Sequence, residues 1–83
     1  MITVEIRDAL DLHVRKRLED SFGKAVAMLI WASASGAAGT SMLAPDHDGY
    51  MRFVDAVCSD QRVLDMWGRS GAEHAQAEWR ALI

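Results

Sequence analysis

The sequence predicts an all-α protein: a compact single domain, residues 1–83, built from four to five short helices. Hydrophobic residues make up 51% of the chain, which is enough for a packed core. Apolar side chains recur at helical spacing in several segments, and glycines or capping residues separate these segments. Residues 2–6 alternate β-branched with polar side chains, so they indicate either a short N-terminal strand or a frayed helix start.

Two helices are expected in the first half of the chain. The first covers residues 8–22, with Asp8 as its cap and Gly23 as its stop. Its apolar stripe has a spacing of four residues and consists of Leu10, Val14 and Leu18. The second covers residues 24–35, and its long apolar run indicates a central helix that is buried on all sides. Whether the two are continuous stays open, because a glycine inside a helix costs only about 1 kcal/mol.

The second half of the chain follows a glycine-rich loop over residues 36–41. Apolar residues at i, i+3, i+4 and i+7 predict an amphipathic helix over residues 50–58. Residues 59–60 then offer a cap for a short helix that Gly68 ends. The sequence at residues 70–73 matches a capping box and predicts the start of a last helix.

The segment PDHDGY, residues 45–50, combines carboxylates, a histidine and a glycine. If Gly49 is the sixth position of a calcium loop, Asp46, Asp48 and Asp55 fall on ligand positions. However, the first ligand position holds an alanine and the second a proline, which argues against calcium. We therefore interpret the segment as a turn in which Asp46 or Asp48 caps the following helix.

Other catalytic or metal-binding patterns are weak. No Cys-x-x-Cys or His-Glu-x-x-His spacing occurs, so neither a metal nor a cofactor is expected. Cys58 is the only thiol, and its neighbours Asp55 and Asp60 would raise its pKa rather than activate it. These features predict a protein that is not an enzyme and has no catalytic residues.

The net charge of −3 is unevenly distributed. Residues 1–24 are balanced, residues 25–45 carry no charge, and residues 46–83 hold seven acids against four arginines. Direct binding to nucleic acid needs a basic face, so we do not expect it. The apolar run is about half of the ~20 residues that a membrane span needs, so no membrane association is expected. A single cysteine and no basic signal region indicate a cytoplasmic protein.

We expect a small non-enzymatic protein-binding module, an inhibitor or regulator that blocks a partner's surface with an acidic face. A phage or mobile-element protein that acts against a host defence complex is one example, and a nucleic-acid-binding groove is a suitable target. The candidate contacts are five carboxylates and two tryptophans: Asp46, Asp48, Asp55, Asp60, Asp65, Trp67 and Trp79. One alternative is a self-associating assembly subunit, such as a homodimer, that pairs through the apolar central helix and the possible edge strand. The other is a small metal-binding domain.

Overall fold

The computed structural model describes residues 4–39 and 45–83, which form three helices. Helix α1 joins three consecutive stretches, Ile6–Asp8, the wider π-helical Ala9–Arg15, and Lys16–Ala38. Helix α2 is His47–Cys58 and helix α3 is Gln61–Ala81. The all-α class is confirmed, and the described residues contain no strand. The expected four to five helices are not obtained, since α1 and α3 each continue across a position where a helix end was predicted.

Those two positions are glycines. Gly23 (φ 80°, ψ 166°) and Gly68 (φ 74°, ψ 168°) share almost the same conformation, which only glycine adopts readily. Each glycine bends its helix instead of ending it. We call residues 6–22 and 24–38 the N-terminal arm and the C-terminal arm of α1. Ser70 lies inside α3 beyond its bend, so the predicted capping box does not start a separate helix.

The N-terminal strand, one of the two alternatives for residues 2–6, is not found at residues 4–6. Residues 2 and 3 lie outside the described residues, and α1 already begins at Ile6. Glu5 stands at the N-cap position, so Asp8 lies within the first turn and does not cap the helix. The Val4 amide donates to the carbonyl of Leu82 over 2.9 Å, which ties the chain's start to the end of α3. A single backbone bond to a helix end is not the ladder of paired bonds that defines a sheet.

The core is assembled from all three helices. The predicted stripe of the N-terminal arm is buried, as are aromatic and aliphatic residues of α2 and α3. The largest side chains that are at most 2% exposed are Val14, Leu18, Ile30, Tyr50, Phe53, Val54, Val57, Val63 and Trp79. Burial of each such side chain contributes about 1.5–3 kcal/mol.

The C-terminal arm of α1 is not buried on all sides, contrary to the sequence-based expectation. Its inner side, which includes Ala27 and Ile30, packs into the core. Its outer side exposes 71% of Met28 and 57% of Leu29. Three helices are too few to surround this arm, so one apolar side remains in contact with solvent. Within the described residues, no helix has both the length and the apolar character that a bilayer crossing requires.

Candidate partner-binding surface

The start of α2 carries two of the predicted contact residues. Asp46 is the N-cap, and its Oδ1 accepts a 2.7 Å hydrogen bond from the Gly49 amide. Asp48 lies in the first turn, where the positive end of the helix dipole favours a carboxylate. The predicted aspartate cap is therefore confirmed, although α2 begins at His47, three residues before the expected start. Both carboxylates are exposed, and we call them the acidic end of α2.

Asp55 lies near the other end of α2 and faces α3. Its Oδ1 accepts a 2.6 Å hydrogen bond from Gln76 Nε2 and lies 3.4 Å from Arg80 Nη1. The carboxylate thus links two helices, and the nearby guanidinium offsets part of its charge. Because Gln76 and Arg80 already contact this carboxylate, it is a weaker candidate for binding a partner than the sequence indicated.

Asp60 and Asp65 belong to the start of α3. Asp60 caps the helix by accepting from the Arg62 amide over 2.9 Å, which confirms the predicted cap. It also forms a two-pronged ion pair with the Arg62 guanidinium, at 2.7 and 2.9 Å. The hydrogen bond from the Arg62 side chain holds the pKa of Asp60 below its ordinary value. Asp65 accepts a 2.7 Å hydrogen bond from Gln61 Nε2 and is exposed.

The five predicted carboxylates therefore do not form one continuous acidic face. The 12 residues of α2 span about 18 Å, with the acidic end at one terminus and Asp60 beyond the other. Asp55 and Asp60 are paired with arginines. Among the described residues, Asp46 and Asp48 form no salt bridge. Of the five predicted carboxylates, Asp46, Asp48 and Asp65 are thus exposed without a salt bridge among the described residues, and the first two lie close together at the acidic end of α2.

The two predicted tryptophans are both on α3 and differ in exposure. Trp79 is 2% exposed and belongs to the core, so its ring is not available to a partner. Trp67 is partly buried, with its ring centroid 6.0 Å from that of Trp79 and 5.9 Å from that of Phe22. The Arg17 guanidinium lies 4.9 Å from its ring centroid, and its Nε1 donates to Ser21 Oγ over 3.0 Å. Its main contacts are therefore structural.

A second surface lies on the C-terminal arm of α1, the central helix that the self-association alternative relied on. The solvent-exposed residues that follow Lys24 on this arm carry no charge, and we call them the uncharged face: Ala25, Met28, Leu29, Ala32, Ser33, Gly36 and Ala37. Exposed helix faces normally carry charged side chains, and contiguous apolar patches mark interaction sites. The charge-free run at residues 25–45 was the available signal, but it indicated burial equally well.

Beside this face, the two arms of α1 enclose an open groove of about 290 Å³. Trp31 is part of its wall and packs edge-on against Phe53, with centroids 4.6 Å apart. The Arg15 guanidinium lies 4.7 Å from the centroid of Trp31, which holds the indole in place by a cation–π contact. The groove is lined by Arg15, Leu18, Glu19, Lys24, Ala27, Met28 and Trp31.

The single thiol is unsuited to nucleophilic chemistry. Cys58 is 7% exposed, and its burial raises the pKa of the thiol to about 12, with Asp55 adding to the increase. A thiol with such a pKa is protonated at neutral pH, and the thiolate is the reactive form. In the part of the chain that the structure describes, no three His, Cys, Asp or Glu side chains converge as metal ligands.

Similarity to known proteins does not add to this description. Comparison with protein-family models, curated proteins and solved structures gives no significant match for the chain. Any proposed function therefore rests on the surfaces described above.

Proposed function

We propose that this protein is a small non-enzymatic protein-binding module that acts by covering part of a partner's surface. The observation that supports it is the acidic end of α2, where two exposed carboxylates, Asp46 and Asp48, have no salt-bridge partner among the described residues. Arginines of the same segment are engaged elsewhere, Arg52 with the carbonyl of Ala38 and Arg62 with Asp60. The negative charge is therefore available to lysines and arginines of a partner.

The geometry of the acidic end favours a basic partner. The bond to the Gly49 amide already fixes the Asp46 carboxylate, so binding would cost little further side-chain entropy. The helix N-terminus contributes a charge of about +0.5, which offsets only part of the two carboxylates. A nucleic-acid-binding groove lined by lysines and arginines would match this charge.

On this proposal the protein works as an inhibitor or regulator, because occupying a surface requires no chemistry. Its small size and its buried, unreactive thiol are compatible with a phage or mobile-element protein that blocks a host defence complex. A lone cysteine without a disulfide also suits the reducing cytoplasm.

Capture from a bacterial lysate with matched charge variants tests the proposal. The test variant is Asp46→Asn/Asp48→Asn, in which asparagine still caps α2. The control is Asp8→Asn/Asp20→Asn, which removes two exposed carboxylates from α1 and therefore has the same net charge as the test variant. We expect a bound protein that elutes as salt rises, is lost with the test variant and is retained with the control. Equal capture by both variants would contradict the proposal.

A further inference from the structure

We infer that the uncharged face of α1 pairs with the same face of a second copy, which makes the protein a two-fold symmetric dimer. This inference goes beyond the proposed function, because it concerns a different surface. Met28 and Leu29 are adjacent large apolar residues that are 71% and 57% exposed. Their burial against another molecule would remove apolar surface from water, which favours association.

The spacing on this face fits helix-to-helix packing. Ala25, Leu29, Ala32 and Gly36 follow one another at intervals of four, three and four residues. This alternation is the pattern of the a and d positions in a coiled-coil seam. Three of the four residues are alanine or glycine, so a second helix can approach closely, while Leu29 supplies the apolar contact. The seam lies on residues 24–38, which form about 22 Å of helix.

Charge favours a second copy as the occupant. The seam has no charge of its own, and the groove beside it has charges of both signs, Glu19 against Arg15 and Lys24. The groove of one copy can therefore set Glu19 against Arg15 or Lys24 of the other copy. A strongly charged partner would instead lose hydration against an uncharged surface without gaining an ion pair from the seam. Pairing through residues 46–83 would bring two surplus negative charges together.

The area of a stable dimer sets how much of this side of the molecule must take part. A standard interface buries about 800 Å² per copy, roughly one-sixth of the 5123 Å² surface. A pair of that size would bury the groove between the two arms of α1 as well as the uncharged face, and Met28 belongs to both.

Sedimentation equilibrium over a wide concentration range tests the inference with two matched variants. Leu29→Glu places a charge on the seam, whereas Leu12→Glu makes the same change at a leucine of the N-terminal arm that is 62% exposed. We expect the wild-type mass to rise from 9.2 kDa to twice that value, Leu12→Glu to behave likewise, and Leu29→Glu to stay monomeric. A wild-type monomer at every concentration, or equal behaviour of both variants, would overturn the inference.

A cross-linking measurement keeps the inference testable if Leu29→Glu alters the fold. Ala32 lies near the middle of the seam, so in a two-fold pair it faces its own counterpart. Ala32→Cys is therefore expected to form an intermolecular disulfide under mild oxidation, while Ala77→Cys, exposed on α3, is not. The native Cys58 is 7% exposed and should not interfere. Equal cross-linking at both sites would refute the dimer. It would also be refuted if the wild type were monomeric and bound a different protein through this face.

Discussion

The rings of Phe22 and Trp67 pack against each other with centroids 5.9 Å apart, and each residue directly precedes a glycine at which its helix bends. The Trp67 indole also donates a hydrogen bond to Ser21, the residue before Phe22. The bends of α1 and α3 are thus in contact. The position of each bend is supported by the side chains of the other helix, and both require glycine.

Replacing Gly23 or Gly68 with alanine should lower the free energy of unfolding by about 1–3 kcal/mol. The cause is backbone conformation rather than crowding, since φ is +80° and +74° and no atom lies within 4 Å of the added Cβ. Urea denaturation measures the effect.

Gly36→Ala is the control for these variants. Gly36 has ordinary helical geometry and open space around it within one copy, so at concentrations where the protein is monomeric alanine should stabilise the helix by up to about 1 kcal/mol. If Gly23→Ala stabilised the protein as Gly36→Ala does, α1 would be straight at that position in solution, and the bend described here would be wrong.

Tyr50→Phe should cost about 1 kcal/mol at neutral pH, because the buried hydroxyl donates a 2.6 Å hydrogen bond to the carbonyl of Trp79. Burial also raises the pKa of Tyr50 from 10.0 to about 12. Between pH 10 and 12 the folded state therefore keeps the hydroxyl proton that the unfolded state loses. The contribution of this group to the free energy of unfolding is complete below pH 10 and is lost as pH rises towards 12. Urea denaturation across this range should show a shallower alkaline loss for Tyr50→Phe. Identical pH dependence in both proteins would refute the assignment.

Cys58 should react slowly with iodoacetamide in the native protein and rapidly in urea. With a pKa of about 12 instead of 9.0, its thiolate fraction is lower by about a thousandfold, and the side chain is also shielded. Mass spectrometry of timed samples measures the rate. Ala77→Cys adds an exposed thiol for comparison within one molecule. Similar rates at the two sites would show that Cys58 is accessible.

Asp60→Asn should remove an acid-sensitive part of the stability. Because the Arg62 side chain lowers the pKa of Asp60 from 3.8, the ion pair contributes fully above that pH and is lost as pH falls through the lower folded-state value. Asparagine still caps α3, so the loss at neutral pH should be that of the partly exposed ion pair alone, about 0.2–1 kcal/mol. Asp65→Asn, whose carboxylate meets only Gln61, is the control. Equal acid dependence of the two variants would contradict this role for Asp60.

Local sequence signals predicted local structure well. Asp46 and Asp60 cap helices as expected, because a cap depends on amides only two or three residues away. The apolar stripe of the N-terminal arm, at Leu10, Val14 and Leu18, is buried, because helical spacing places these residues on one side.

Features that depend on distant residues were not predictable in the same way. Asp55 is matched with Arg80, 25 residues away, so its charge could not be judged from its neighbours. Gly68 and Ser70 carry strong local signals for a helix end and a new start, yet α3 continues through both, with Trp67 packed against α1. The outer side of the C-terminal arm stays exposed because no other helix of residues 4–39 and 45–83 covers it, and this cannot be judged from the apolar sequence of the arm alone.

The most direct test of the proposed function is competition between this protein and duplex DNA for the captured partner. The affinity should be measured with wild type, Asp46→Asn/Asp48→Asn and Asp8→Asn/Asp20→Asn at low and high salt. The account predicts that duplex DNA displaces the wild type and that affinity falls as salt rises. It also predicts that only the Asp46/Asp48 variant binds more weakly, by about tenfold for each ~1.4 kcal/mol of binding free energy lost. Binding that is insensitive to salt, DNA and these two carboxylates would contradict it.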